Sequence, residues 1–143
     1  MTEITFHFNV PDRATYACRL LRIAMRRAAK VAVTGSPDTL ARLDRDLWAF
    51  DPVEFIPHLL LKPGVDVARR LRATPVLLVD EPMRAGHHDV LVNHGEQAPA
   101  GFESFGKLIE IVTVAESERA AARMRWKHYA SRGYPITRHE VNE

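Results

Sequence analysis

Over the first ten positions Ile4, Phe6, Phe8 and Val10 alternate with Thr5, His7 and Asn9, a period of two that predicts a β-strand with one apolar face. Pro11 and Asp12 end it. From 14 to 29 the period lengthens: Cys18, Leu21, Met25 and Ala28 recur at helical spacing, with Arg13, Arg19, Arg22, Arg26 and Arg27 around them as a solvated basic side. Residues 30–34 read as a second short strand, closed by Gly35. Ser36, Pro37 and Asp38 then mark a helix start. A serine oxygen caps free backbone N–H groups, proline in the first turn forfeits no hydrogen bond, and aspartate complements the helix dipole. Leu40, Leu43 and Leu47 form the buried stripe of that helix, which stops before Pro52 because the residue ahead of a proline disfavours helical backbone.

Beyond it, 55–61 reads as an irregular apolar loop. Trp48, Phe50 and Phe55 stand close together among prolines and suit either a core cluster or an apolar patch that awaits a partner. Lys62, Pro63 and Gly64 make a turn, and 65–72 is a short Arg-rich segment, helical or loop. The run 75–80 is continuously apolar up to Asp80, the pattern of a strand buried on both faces. Residues 89–93 and 108–114 read likewise as strands, with a loop at 99–105 between them. A last helix begins near Ser117 and stops at Gly133, which can take a left-handed conformation, with Pro135 beyond it. Strands alternating with helices in the first half and again at the end predict an α/β fold. We expect a single three-layer domain over 1–143, built on a mostly parallel sheet.

Composition changes this picture little. A length of 143 residues suits one domain with its own core, and hydrophobic and charged fractions of 46% and 27% are ordinary for a soluble protein. The net charge of +2 argues against a general nucleic-acid-binding coat. The lone Cys18, on an apolar helix face, can form no internal disulfide and fits a reducing cytoplasm. The N-terminus lacks the basic lead and apolar run of a secretory signal, and no apolar stretch approaches the roughly 20 residues that span a bilayer. A cytoplasmic location is expected.

The last helix carries the pattern that speaks to a partner. At about 100° per residue, Arg119, Arg123 and Trp126 fall on one stripe. The opposite side, Ser117, Ala120, Ala121, Met124, His128 and Ser131, is mostly small and is predicted to pack on the sheet. The stripe suits a solvated charged face, or a ligand that is both acidic and aromatic. A peptide C-terminus fits, its carboxylate taking paired bonds from arginine and its ring resting on the indole. Single-stranded nucleic acid fits too, through phosphate neutralisation and base stacking. Spacing does not separate these.

Catalytic signatures are missing. The seven glycines stand apart at 35, 64, 86, 95, 101, 106 and 133, so no glycine-rich phosphate loop precedes a helix. His87, His88, Asp89 and His94 lack the spacing of a zinc site. No Gly-x-Ser-x-Gly elbow occurs, Cys18 has no activating base, and Asp80 and Glu81 at a strand end have no second group to join them. We expect no metal, no cofactor and no catalysis.

Four blocks together are nevertheless distinctive: Leu43 through Pro52, Phe55-Ile56-Pro57-His58, Asp89 through Asn93, and Arg123 through Pro135. In their order and spacing the chain resembles the chi subunit family of bacterial DNA polymerase III over nearly its whole length. The resemblance implies a non-catalytic replication accessory protein with a nucleotide-binding-like α/β fold that lacks the phosphate loop. It implies binding of the acidic, Phe-ending C-terminal tail of single-stranded DNA-binding protein, and connection to the clamp loader through a psi subunit where one is present. Carried over, the tail site is Val112, Arg119, Arg123 and Trp126: the arginines would pair with carboxylates while Val112 and Trp126 hold the terminal ring. Arg119 and Trp126 stand where relatives have Lys and Tyr, which keeps the charge and the ring. The psi-facing surface would involve Trp48 and Phe55. Direct binding of single-stranded nucleic acid by the Arg/Trp stripe is the alternative.

Overall fold

The computed structural model describes residues 1–51, 55–62, 67–68, 71 and 73–141. Among these the α-helices and strands follow in chain order as β1 (Glu3–Val10), α1 (Arg13–Arg26), β2 (Val31–Thr34), α2 (Pro37–Phe50), β3 (His58–Leu60), β4 (Val76–Val79), β5 (Val90–Asn93), β6 (Lys107–Thr113), α3 (Glu116–Ser131) and β7 (Ile136–Glu140), with 3-10 turns at Pro82–Arg84 and Phe102–Ser104. The Arg-rich segment expected at 65–72 and the turn at 62–64 lie largely outside the described residues. None of the described helices is long and apolar enough to cross a membrane.

All seven strands pair in parallel, in the order β3-β4-β2-β5-β6-β1-β7. The α/β class and the parallel sheet expected from the alternation are what the fold has. Every residue of β2 and β4 is buried, as their uninterrupted apolar runs require. The helices α1 and α2 cover one face, with Cys18, Leu21, Leu40 and Leu43 packed on Val33, Leu78 and Ile111. The helix α3 and the loop around Phe102 and Phe105 cover the other, over Phe6, Leu77 and Leu108. Ser36 caps α2 as predicted, its Oγ accepting from Thr39 N–H at 3.2 Å, and Asp12 caps α1 through Thr15 N–H at 3.0 Å. Burial, then the charges of Asp46 and Asp12, push the Cys18 thiol up to about 11, so it stays a protonated core residue.

Three local readings change, and one strand goes unread in the sequence. The first strand keeps Ile4, Phe6 and Phe8 on the α3 face but sends Val10 to the other. The pairing of β1 with β6 slips between His7 and Val10, where Asn9 takes φ 62°, a left-handed conformation asparagine tolerates better than most residues. Part of the expected loop at 55–61 is the edge strand β3, stabilised by pairing with β4. The strand β7 shows no apolar alternation because most of it is exposed at the sheet margin. The largest correction concerns α3: its buried residues are Ala122, Arg125 and Tyr129, whereas Ser117, Ala120, Met124, His128 and Ser131 face solvent.

Candidate functional site

Three elements meet at the sheet margin to form a cavity of about 300 Å³, lined by Phe8, Arg119, Ala122, Arg123, Trp126, Lys127 and Arg138. Its floor is aromatic. Phe6 and Phe8 stack at 5.7 Å between ring centroids, and the half-buried Trp126 leans on both, 5.0 Å from Phe6 and 6.2 Å from Phe8. Packing of the indole on two rings fixes its orientation while leaving part of it open to solvent.

The rim is cationic. Arg119, Arg123 and Lys127 recur every fourth residue, so they form one row along α3. From the opposite wall Arg138 lays its guanidinium 4.4 Å from the Phe8 ring centroid, a cation-π contact. Two acids already touch this rim. Glu116 accepts from Arg123 at 3.0 Å, and Glu140 accepts from Arg138 at 2.9 and 2.5 Å. Both pairs are largely exposed, where an ion pair is worth little and exchanges readily. Arg119 has no acidic partner among the described residues.

The predicted stripe is thus brought together, but one member of the set stands apart. Val112 is fully buried on β6 in the same cluster as Ala122 and does not line the cavity. Phe8, Lys127 and Arg138 were not singled out by spacing arguments. Lys127 completes the row that Arg119 and Arg123 begin, and that signal is present in the sequence. Phe8 and Arg138 arrive from other strands, which linear spacing does not reveal.

What holds α3 in place is a buried polar cluster. The Glu110 carboxylate accepts from Arg125 Nε at 3.0 Å, from Asn93 Nδ2 at 3.0 and 3.2 Å, and from Tyr129 OH at 2.5 Å. Arg125 also donates to the Glu96 carbonyl at 2.7 Å. Burial pushes the Glu110 carboxyl up, opposed by the Arg125 charge and the donors from Tyr129 and Asn93. At the start of α3, Glu118 accepts from Thr113 Oγ1 and pairs with Arg13.

A second surface lies at the far margin. Trp48 and Phe55 are 61% and 54% exposed, with ring centroids 5.2 Å apart. His58 sits beneath them, 4.9 Å from Trp48, its Nδ1 2.7 Å from the Ile56 carbonyl and its Nε2 3.1 Å from Asp44. The aromatic cluster divides between the two readings: Phe50 packs on the core, with the Arg22 guanidinium 5.0 Å from its ring centroid, while Trp48 and Phe55 form the exposed patch. Among the described residues no group of three or more His, Cys, Asp or Glu side chains is placed to hold a metal ion; His94 is buried and its Nδ1 has no hydrogen-bond partner.

Comparison with known proteins agrees across the chain. The family model of the DNA polymerase III chi subunit matches residues 1–137. A DNA polymerase III subunit chi from Pseudomonas aeruginosa is 30% identical over 148 aligned positions, covering 99% of this chain and 98% of that protein. One from Haemophilus influenzae is 27% identical over 127 positions, 87% of this chain and 85% of its own length.

Proposed function

We propose, from the premise that this chain belongs to the DNA polymerase III chi subunit family, that it is a replication accessory subunit whose cavity at Trp126 takes the acidic, Phe-ending C-terminal tail of single-stranded DNA-binding protein. The observation that carries the reading is the pairing of an aromatic floor, Phe8 and Trp126, with a rim of four cations, Arg119, Arg123, Lys127 and Arg138. A terminal Phe has the half-buried Trp126 indole to pack on. Its α-carboxylate and the acidic residues before it have guanidiniums in reach, which bind carboxylates in paired geometry. Val112 contributes by holding the wall on which Ala122 sits.

The link to the clamp loader is proposed to run through a psi subunit, where one is present, docking on Trp48 and Phe55. Exposed aromatics in contact with one another are the kind of surface that binding hot spots use. Catalysis has no part in this reading, and a cytoplasmic location goes with it.

The test is calorimetric titration with a short acidic peptide ending in Asp-Phe-Ile-Pro-Phe, against the same peptide without its last Phe. Wild type is expected to bind with micromolar affinity, about −8 kcal/mol. Removing the terminal Phe, or substituting Arg123→Ala or Trp126→Ala, is expected to weaken it by about tenfold or more. Equal binding of the truncated peptide overturns the reading. Direct capture of single-stranded nucleic acid would instead show a steep fall with salt and no dependence on that Phe.

The Glu116–Arg123 pair makes a further prediction. Glu116 occupies a guanidinium that the ligand needs, so Glu116→Gln is expected to tighten peptide binding, by roughly 1.5- to 5-fold if the exposed pair has the usual strength. Unchanged or weaker binding counts against Arg123 as a ligand contact.

A further inference from the structure

We infer that the acidic segment just upstream of a chain end seated in this cavity pairs with the free edge of β7 as an eighth, extended strand; the inference rests on the peptide reading above. β7 ends the sheet order and pairs on one side only, with β1. In a parallel ladder alternate residues turn both backbone groups toward the same neighbour. Ile4 N–H donates to the Pro135 carbonyl at 3.1 Å, and Val141 N–H donates to the Phe8 carbonyl at 2.9 Å. With the one-to-one register between them, Thr137 and His139 face β1. Ile136, Arg138 and Glu140 therefore point N–H and C=O groups away from the sheet, and among the described residues no strand pairs with that side.

Edge and cavity form one surface, because Arg138 belongs to both. Its backbone lies on the free edge, while its side chain covers Phe8 and lines the cavity. A chain leaving the cavity past Arg138 meets unpaired backbone groups at once. Charge selects what pairs there: among the described residues the acids paired with Arg119, Arg123, Lys127 and Arg138 are Glu116 and Glu140 alone, so an acidic strand is favoured. Strand addition supplies main-chain hydrogen bonds whatever the side chains, and the cavity supplies the reading of the terminal ring. An unpaired edge is a liability in a soluble protein, and an occupant of this kind removes it.

Two peptides test the inference, both ending in Asp-Phe-Ile-Pro-Phe and differing only in which alternate set of amides upstream of the proline carries N-methyl groups. One set is expected to lose roughly tenfold in affinity, because its amides face β7 and are blocked; the other, facing away, is expected to stay close to the parent. In parallel, amide exchange followed by NMR is expected to slow at Ile136, Arg138 and Glu140 when the parent peptide is added. Equal effects of the two sets with no new protection on β7, while Trp126-dependent binding persists, overturn this inference alone and place the segment along the α3 row. If the parent peptide does not bind, the peptide reading and this inference fall together. Protection that grows with protein concentration in the absence of peptide assigns the edge to a second copy of the chain and also overturns it.

Discussion

Arg125→Ala is expected to lower the unfolding free energy by about 3–5 kcal/mol, the loss typical of a buried pair stripped of one partner, read as a shift of the urea midpoint at unchanged slope. Glu110 is 0% exposed and Arg125 only 4%. Without the guanidinium the carboxylate keeps Asn93 and Tyr129 but loses its countercharge, and the Glu96 carbonyl loses its donor. Glu110→Gln is expected to be nearly as costly despite its matching shape. The amide oxygen can still accept from Arg125 and Asn93 while its NH₂ turns to the Tyr129 hydroxyl, but the buried Arg125 guanidinium loses its countercharge. Replacing both charges together, as Glu110→Leu with Arg125→Met, is expected to cost less than the sum of the single changes, because no lone charge is left buried. A single Arg125→Ala within about 1 kcal/mol of wild type, the value of an ordinary exposed pair, would show that this cluster does not anchor α3.

The same cluster explains why the packed side of α3 differs from the one its spacing predicts. The buried stripe runs Ala122, Arg125, Tyr129, with an arginine at its centre. Hydrophobic periodicity assigns such a residue to solvent, and the small Ala120 and Ala121 then look like the contact face. The partner that makes burial of Arg125 possible, Glu110, lies in a strand that otherwise reads as continuously apolar. Tertiary pairing therefore outweighed local pattern, and linear spacing carries no record of it. The central strands were legible because burial on both faces demands unbroken apolar runs, as at Val76–Val79. The margins were not: Ile136–Glu140 has one apolar residue, and His58–Leu60 is hidden in an aromatic loop. At the candidate site, Arg119, Arg123 and Trp126 were legible because they share one helix. Phe8 and Arg138 join them through the order β6-β1-β7, and Asn9 keeps Phe8 at the cavity while turning Val10 away. Spacing along α3 reaches only the α3 residues of this site; Phe8 and Arg138 come to it through the sheet order.

Acidification below about pH 6.5 is expected to weaken the fold through two histidines, His94 and His7. Burial, then the charge of Arg13, lowers His94 from 6.5 to about 4. Burial, then His139 and Lys107, lowers His7 likewise to about 4. Above pH 6.5 these rings are neutral in folded and unfolded chains alike and contribute no pH dependence. Below it the unfolded chain takes up protons that the folded one refuses, so stability falls as pH drops from 6.5 and levels off below about 4. At about 1.4 kcal/mol per pKa unit, His94 alone accounts for a loss of about 3 kcal/mol. His7 is more open to water, so screening reduces its share. Asp12 acts in a different window: hydrogen bonds from Thr15 hold its carboxyl below 3.8, so its contribution disappears only as pH falls further. Between pH 7 and 4.5 the raised Glu110 carboxyl acts with the opposite sign, so the His94 share is read by comparing wild type with a His94 variant in urea unfolding. Wild type is expected to lose stability steeply across that range, and His94→Leu, which cannot take up a proton, to lose markedly less whatever its stability at pH 7. Parallel pH profiles for the two proteins would mean that His94 accepts its proton in the folded chain despite the nearby Arg13 charge.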